Sequence, residues 1–194
     1  ICPKTNELLA TGRASTYDPT TQTPPRKGGV RECFVPRRGR VFGFCDYSFI
    51  ELVCLSQCCL DMFGWSVMAD AINAGVDPHL DMAATMLGIS YEEAVRRKKS
   101  GTPAEKKEIG EYRQTSKALN FGFPGGLGAA TFVAYAWDGY GVRITEGQAK
   151  RRKQDWLDHW PEMVLYQKHF SDKTIGGREC TVVQLPSGRV RGGC

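Results

Sequence analysis

The clearest periodicity begins near residue 49, where apolar positions recur at helical rather than alternating spacing. "FIELVCLSQCCLDMFG" carries Ile50, Val53, Cys54 and Cys58 at that spacing, which predicts a helix. "DPHLDMAATMLG" predicts a second helix, with Asp77 as N-cap, Pro78 at the first helical position and Gly88 just past the end. In "SYEEAVRRKK", Ser90 and Glu93 have the spacing of a capping box. "SGTPAEKKEIGEYRQTSKALNFGF" predicts a longer helix, stopped by Pro124 and its neighbouring glycines. "TEGQAKRRKQDWLDHWPEMVLYQKHF" predicts one long amphipathic helix, or two broken near Pro161.

The two ends of the chain lack that period. Residues 1 to about 30 are rich in Thr, Pro, Gly and Arg and read as loop. "VRECFVP" and "RVFGFCDYS" predict two short strands joined through the basic turn "PRRGR". "ECTVVQLPSGRVRGG" predicts a further hairpin around Pro-Ser-Gly. Short strands flanking a block of helices predict an α+β layout rather than regular βαβ alternation.

Composition narrows the picture only slightly. The 194 residues are 41% hydrophobic with a net charge of +5, and the basic residues are clumped in "PRKGGVR", "PRRGR", "RRKK", "KRRK" and "GRVRGG". Such clusters suit a nucleic-acid partner or a solvated surface equally well. No apolar run approaches the ~18 residues of a membrane span, so no membrane partner is expected. The first residues resemble no secretory leader. Because the chain lacks an initial Met and stops inside a predicted hairpin, it reads as a piece of a longer protein. The eight cysteines form no C-x-x-C pair and only three histidines accompany them, which argues against zinc. Cys45, Cys54, Cys58 and Cys59 lie in apolar surroundings and read as buried, reduced thiols of an intracellular, cytoplasmic protein.

Four places carry candidate chemistry. Arg113, Lys117 and Phe121 are spaced to share one helix face, two cations and a ring that suit an anionic ligand with a flat part. Solvated cations and a core ring are the commoner alternative. Asp46 closes an apolar stretch, "VFGFC", where a carboxylate could hold a hard cation such as Mg²⁺. It could equally cap the following helix, and on the residue alone the cap is the commoner role. Glu51 is either a second acid or an exposed helix residue. His79, in the first turn of its helix, either faces an anion or lies on the surface. No P-loop and no nucleophile elbow is present.

Taken together, these pieces resemble family A DNA polymerases, the polymerase-I-like group that includes many phage replicases. "DYSFIEL" resembles the motif usually written DYSQIELR, and "R-x-x-x-K-x-x-x-F-G" at 113–122 resembles the nucleotide-binding helix. "TGRASTYDPTTQTPP", "VRECFVP", "DPHLDMAATMLG" and "LPSGRVRG" resemble four further segments in the family's order, so nearly the whole chain is covered. The resemblance implies a partial palm over 1–60 with a metal-binding strand, helical fingers over 61–170, and the start of a returning palm hairpin over 171–194.

It also implies roles. Asp46 and the main-chain carbonyl of Tyr47 would hold catalytic metal, two Mg²⁺ ions in the complete enzyme. Glu51 would sit beneath the sugar and block a 2′-hydroxyl. Arg113 and Lys117 would grip the triphosphate, with Lys117 protonating the departing pyrophosphate, while His79 would touch phosphate. Phe121 would pack on sugar and base. Arg13 and Gln22 would reach the minor groove near the primer end. The implied partners are primer–template DNA and deoxynucleoside triphosphates; a processivity factor is not legible. The implied reaction is primer extension, with a non-catalytic nucleic-acid-binding module as the alternative.

The sequence departs from the family pattern at Phe49, in place of Gln; at Val53, in place of Arg; and at Gly125, in place of a Tyr. These departures bear on sugar discrimination and template contacts. The family's second metal-binding carboxylate lies in an HDE-type motif further downstream than Cys194. The 194 residues alone are therefore expected not to polymerise.

Overall fold

The computed structural model describes residues 4–6, 14–25, 28–171, 174–175, 178–179, 182–184 and 189–191. They belong to two compact units, 1–47 and 48–194. The class is α+β, as the pattern predicted: the described residues form eight α-helices and three two-stranded antiparallel sheets.

In the first unit, β1 (Lys4–Asn6) pairs with β2 (Ser15–Tyr17) in the register Lys4↔Tyr17 and Asn6↔Ser15. This ladder lies in the stretch expected to be loop. Gln22 braces it: its Oε1 accepts from the Thr16 N–H at 3.0 Å and its Nε2 donates to the Ala14 carbonyl at 3.0 Å. The two strands expected between residues 30 and 48 are not present. Arg31–Cys33 is a single 3-10 turn, and residues 41–47 pair with no other described backbone. An apolar alternation becomes a strand only when a second backbone completes the ladder, and here none does. Val41 and Phe44 stand about nine-tenths exposed, while the rings of Phe42 and Phe44, on one face, lie 5.9 Å apart.

The second unit opens with α1 (Ile50–Phe63). The helix forms as predicted, and its buried residues are Leu52, Leu55, Ser56 and Cys59 rather than the apolar series Ile50, Val53, Cys54 and Cys58. The helix is apolar on both faces, so periodicity could not choose between them, and packing did. Cys54 and Cys58 are therefore exposed, as is Cys45, and only Cys59 of the four thiols is buried. Burial, with lesser help from the nearby Glu162 and Cys58, pushes the Cys59 thiol up to about 12, so it stays protonated. Asp46 does not cap α1: the residue before the helix is Phe49, held in the left-handed region at φ 54.

α2 (Val67–Asn73) follows, its N-cap Ser66 accepting from the Ala69 N–H. The buried carboxylate of Glu162, on α8 (Glu162–Ser171), also accepts there, from Ser66 Oγ at 2.8 Å and the Met68 N–H at 2.9 Å. α3 (Pro78–Leu87) has the expected ends: Asp77 as N-cap, Pro78 in the first turn and Gly88 left-handed at the close. α4 (Tyr91–Ser100) is capped by Ser90, but only half of the expected box forms. The Glu93 carboxylate is drawn instead to Arg96 and Arg97, at 2.7–2.9 Å. Complete boxes occur at Thr102/Glu105, starting α5 (Pro103–Gly122), and at Thr145/Gln148, starting α7 (Glu146–His159). α6 (Ala129–Tyr140) lies between them, and Pro161 separates α7 from α8.

Two hydrophobic clusters meet along α3 and α5. The larger gathers Leu52, Met82, Leu119, Phe123, Phe132, Trp156 and Trp160. The smaller gathers Leu80, Ala83, Ala84, Ala94 and Ile109. α3 and α5 contribute to both, so their relative placement is set from two sides. Full burial of each large side chain is worth ~1.5–3 kcal/mol. Where α5 ends, Gly122 is required by space: a Cβ there would lie 2.9 Å from Tyr135 Cε1 and 3.2 Å from Phe132. In the last described segments, β3 (Thr174–Ile175) pairs with β4 (Arg178–Glu179), and β5 (Val182–Gln184) pairs with β6 (Arg189–Arg191). The last pair forms the two strands expected around Pro-Ser-Gly, whose turn residues lie outside the described set.

Candidate functional site

The site is built where the start of α3 meets the second half of α5. Asp77 divides its carboxylate between two tasks. Oδ1 accepts from the backbone N–H groups of His79 and Leu80, at 3.0 and 3.2 Å, closing the N-terminus of α3. Oδ2 accepts from Arg113 Nε and Nη2, at 3.0 and 2.8 Å, with Lys98 Nζ at 3.4 Å. Burial works against ionisation of Asp77. The charge and hydrogen bonds of Arg113, the Leu80 N–H and Lys98 outweigh it and hold the carboxyl below its ordinary range. Arg113 is thereby fixed in one orientation at the head of α3, with two of its five N–H donors used.

Arg113, Lys117 and Phe121 do share one face of α5, and all three are half-buried. His79 lies against this face. Its ring is 5.2 Å from that of Phe121 and meets Phe49 edge-on at 5.5 Å. His79 is only 2% exposed. Burial, with the Arg113 and Lys117 charges adding to it and Asp77 opposing, lowers its pKa to about 4, so the ring is neutral near pH 7. Cations, a neutral imidazole and two aromatic rings thus converge at a helix N-terminus, whose partial positive charge adds to the cationic field.

Behind the histidine lies a polar chain. Trp156 Nε1 donates to Asn120 Oδ1 at 2.9 Å. Asn120 Nδ2 donates to the Pro78 carbonyl at 3.2 Å and lies 3.0 Å from His79 Nδ1. Asn120 and Trp156 are both fully buried. Further along α3, His159 of α7 reaches Asp81 through Nε2 and Thr85 through Nδ1, both at 3.0 Å. The turn after α5 is tied down as well: Lys153 Nζ donates to the Leu127 carbonyl at 3.2 Å, and Gln167 Nε2 to the Phe123 carbonyl at 2.7 Å.

The remaining expected residues belong to other segments of the chain. Glu51 is exposed in the first turn of α1, and its charge reaches Tyr140, whose hydroxyl is 3.2 Å from that of Tyr135. Asp46 and Tyr47 are exposed in the extended segment of the first unit, and Gln22 is engaged with backbone there. Arg13 lies outside the described residues. As donors, the Asp46 carboxylate and the neighbouring Tyr47 carbonyl are hard oxygens of the kind Mg²⁺ takes. Among the described residues, no group of three His, Cys, Asp or Glu side chains assembles into a metal site.

Sequence reading missed Asp77 as the partner of Arg113, and it missed Asn120 and Trp156 altogether. One signal was available. Asn120 follows the apolar pair Ala118–Leu119 in the last turn of α5, and a buried amide there needs partners. The partners come from α3 and α7, which no spacing in the sequence reveals.

Comparison with known proteins bears on this arrangement. The family described as DNA polymerase family A matches residues 4–185. The chain is 33% identical over 189 residues to DNA polymerase I of Aquifex aeolicus, covering 92% of the chain and 29% of that protein. It is 28% identical over 174 residues to DNA polymerase I of Lactococcus lactis, covering 84% of the chain and 16% of that protein. The polymerase domain of Pol1 from M. smegmatis, solved in complex with DNA primer–template and dNTP, superposes with a TM-score of 0.67 at 22% identity. That match covers 98% of this chain and 30% of the other, and it shows a shared fold.

Proposed function

The chain belongs to DNA polymerase family A, and from that premise we propose that it forms part of an enzyme that extends a DNA primer. The relatives named above are polymerases of which the chain spans less than a third, so the whole enzyme's activity is carried here as a proposal. The observation that carries it is the shared face of Arg113, Lys117 and Phe121 against the N-terminus of α3. In this reading residues 61–170 act as the helical fingers, and residues 1–60, through Asp46, act as part of the palm. The incoming deoxynucleoside triphosphate lies along α5.

Each residue then has a physical task. Lys117 offers a compact point charge to the phosphates. Arg113, held by Asp77, offers its remaining donors in a fixed fork. Phe121 gives the sugar and base an apolar surface, and Glu51 excludes a 2′-hydroxyl. Asp46 and the Tyr47 carbonyl are the residues that would hold Mg²⁺, which when bound stabilises the charge developing in phosphoryl transfer. Arg13 and Gln22 are the residues assigned to contact with the DNA near the primer end. The primer–template and dNTP present in the M. smegmatis complex support these partners.

The test is a fluorescence titration of the 194-residue chain with deoxyadenosine triphosphate. Lys117→Ala is expected to weaken binding at least about tenfold, equivalent to ~1.4 kcal/mol. Unchanged affinity in that variant would overturn the reading.

A further inference from the structure

A second question arises within the same site: in which protonation state His79 meets its ligand. This inference rests on the reading above that His79 faces a phosphate. Three atoms answer it. An indole N–H can only donate, so the Asn120 atom facing Trp156 Nε1 at 2.9 Å is the amide oxygen. A backbone carbonyl can only accept, so the atom 3.2 Å from the Pro78 oxygen is the amide nitrogen. The two constraints agree, and they leave the same NH₂ group 3.0 Å from His79 Nδ1. A donor facing a ring nitrogen requires that nitrogen to carry its lone pair.

We propose that Asn120, oriented by Trp156 and the Pro78 carbonyl, holds His79 as the neutral imidazole with its proton on Nε2. The ring then meets a phosphate oxygen as a hydrogen-bond donor. Asn120 is a positioning residue: it acts on the nucleotide only through His79. The arrangement also makes the cationic form costly, because a proton on Nδ1 would point at the amide hydrogens. The ring is flanked by the apolar rings of Phe49 and Phe121. The positive charge at this end of the site is thus left to Arg113 and Lys117. His79 adds direction without a third cation.

The experiment is NMR of the 194-residue chain with ¹⁵N-labelled imidazoles, in which the pattern of ring proton–nitrogen correlations distinguishes the two tautomers. Three histidines are present, and His79 is assigned by its loss in His79→Phe. The expected result is a protonated Nε2 and an unprotonated Nδ1 in the wild type. In the near-isosteric Asn120→Asp, a carboxylate replaces the donor, and the proton should move to Nδ1 or occupy both nitrogens. If Asn120→Asp proves unstable, Asn120→Ala, which removes the donor facing Nδ1 altogether, should give a mixture of tautomers. A wild-type ring protonated on Nδ1 overturns the proposal, and so does an unaltered pattern in either variant. Deoxyadenosine triphosphate added to the wild type should shift the Nε2 resonance. If the tautomer is as expected but that resonance does not move, the donor role and the assignment of His79 to phosphate both fall. The amide lock behind the ring remains in that case.

Discussion

The head of α3 and the segment 41–47 make opposite uses of similar material. Both contain an aspartate beside apolar residues, and both carry candidate chemistry. At Asp77 every carboxylate oxygen is spoken for, and the neighbouring His79 ring is buried. Around Asp46 the chain is extended, Val41 and Phe44 lie open, and no ladder forms among the described residues. The difference lies in where the partners come from. A helix satisfies its backbone within itself and needs others only for its ends and one face. An extended segment needs another strand for every peptide group.

The widest test of this contrast is large-to-small substitution in each region. Trp156→Ala empties a fully buried site and removes a donor to Asn120, so it should cost ~3–5 kcal/mol in urea unfolding followed by circular dichroism. Phe44→Ala, nine-tenths exposed, should stay within ~0.5 kcal/mol. Similar costs for the two would erase the distinction.

Asp77→Ala removes a helix cap and the anchor of Arg113 together. A loss of about 2 kcal/mol is expected in thermal melts, since each is worth ~1 kcal/mol. A loss no larger than a cap alone would mean that the Arg113 pair contributes nothing to folding.

The contrast should also depend on pH. His79 has a folded-state value near 4 against an ordinary 6.5, so the unfolded chain takes up the proton first. Stability is therefore full above about pH 6.5 and declines as pH falls from there toward 4. Asp77, held below its ordinary 3.8, adds a further loss at still lower pH. Denaturant midpoints at a series of pH values should show the first decline in the wild type, and His79→Phe should flatten it. A wild-type midpoint constant from pH 7 to 4.5 would contradict a buried neutral imidazole.

A smaller loss than that of Asp77→Ala is expected for Gly122→Ala, where the new methyl presses on the Tyr135 ring. Rings can shift by a few tenths of an ångström, so ~1 kcal/mol is expected in the same urea assay. Stabilisation by this substitution would show that the α5–α6 turn is looser than its packing suggests.

The sequence by itself determined the helices whose ends are written locally. Asp77-Pro78 and Gly88 bound α3, and Pro124 with its glycines stops α5, because caps and breakers act within one turn. It also determined that Arg113, Lys117 and Phe121 share a face, since helical spacing alone does that. It could not choose the buried face of α1, where both faces are apolar, nor tell that Glu93 would turn to arginines rather than complete its box. Only tertiary structure joined Asp77 to Arg113 across 36 positions, and Trp156 to His79 through Asn120. Such bonds form between groups brought together by the packing of α3, α5 and α7, and their energy depends on a burial that no short stretch of sequence encodes.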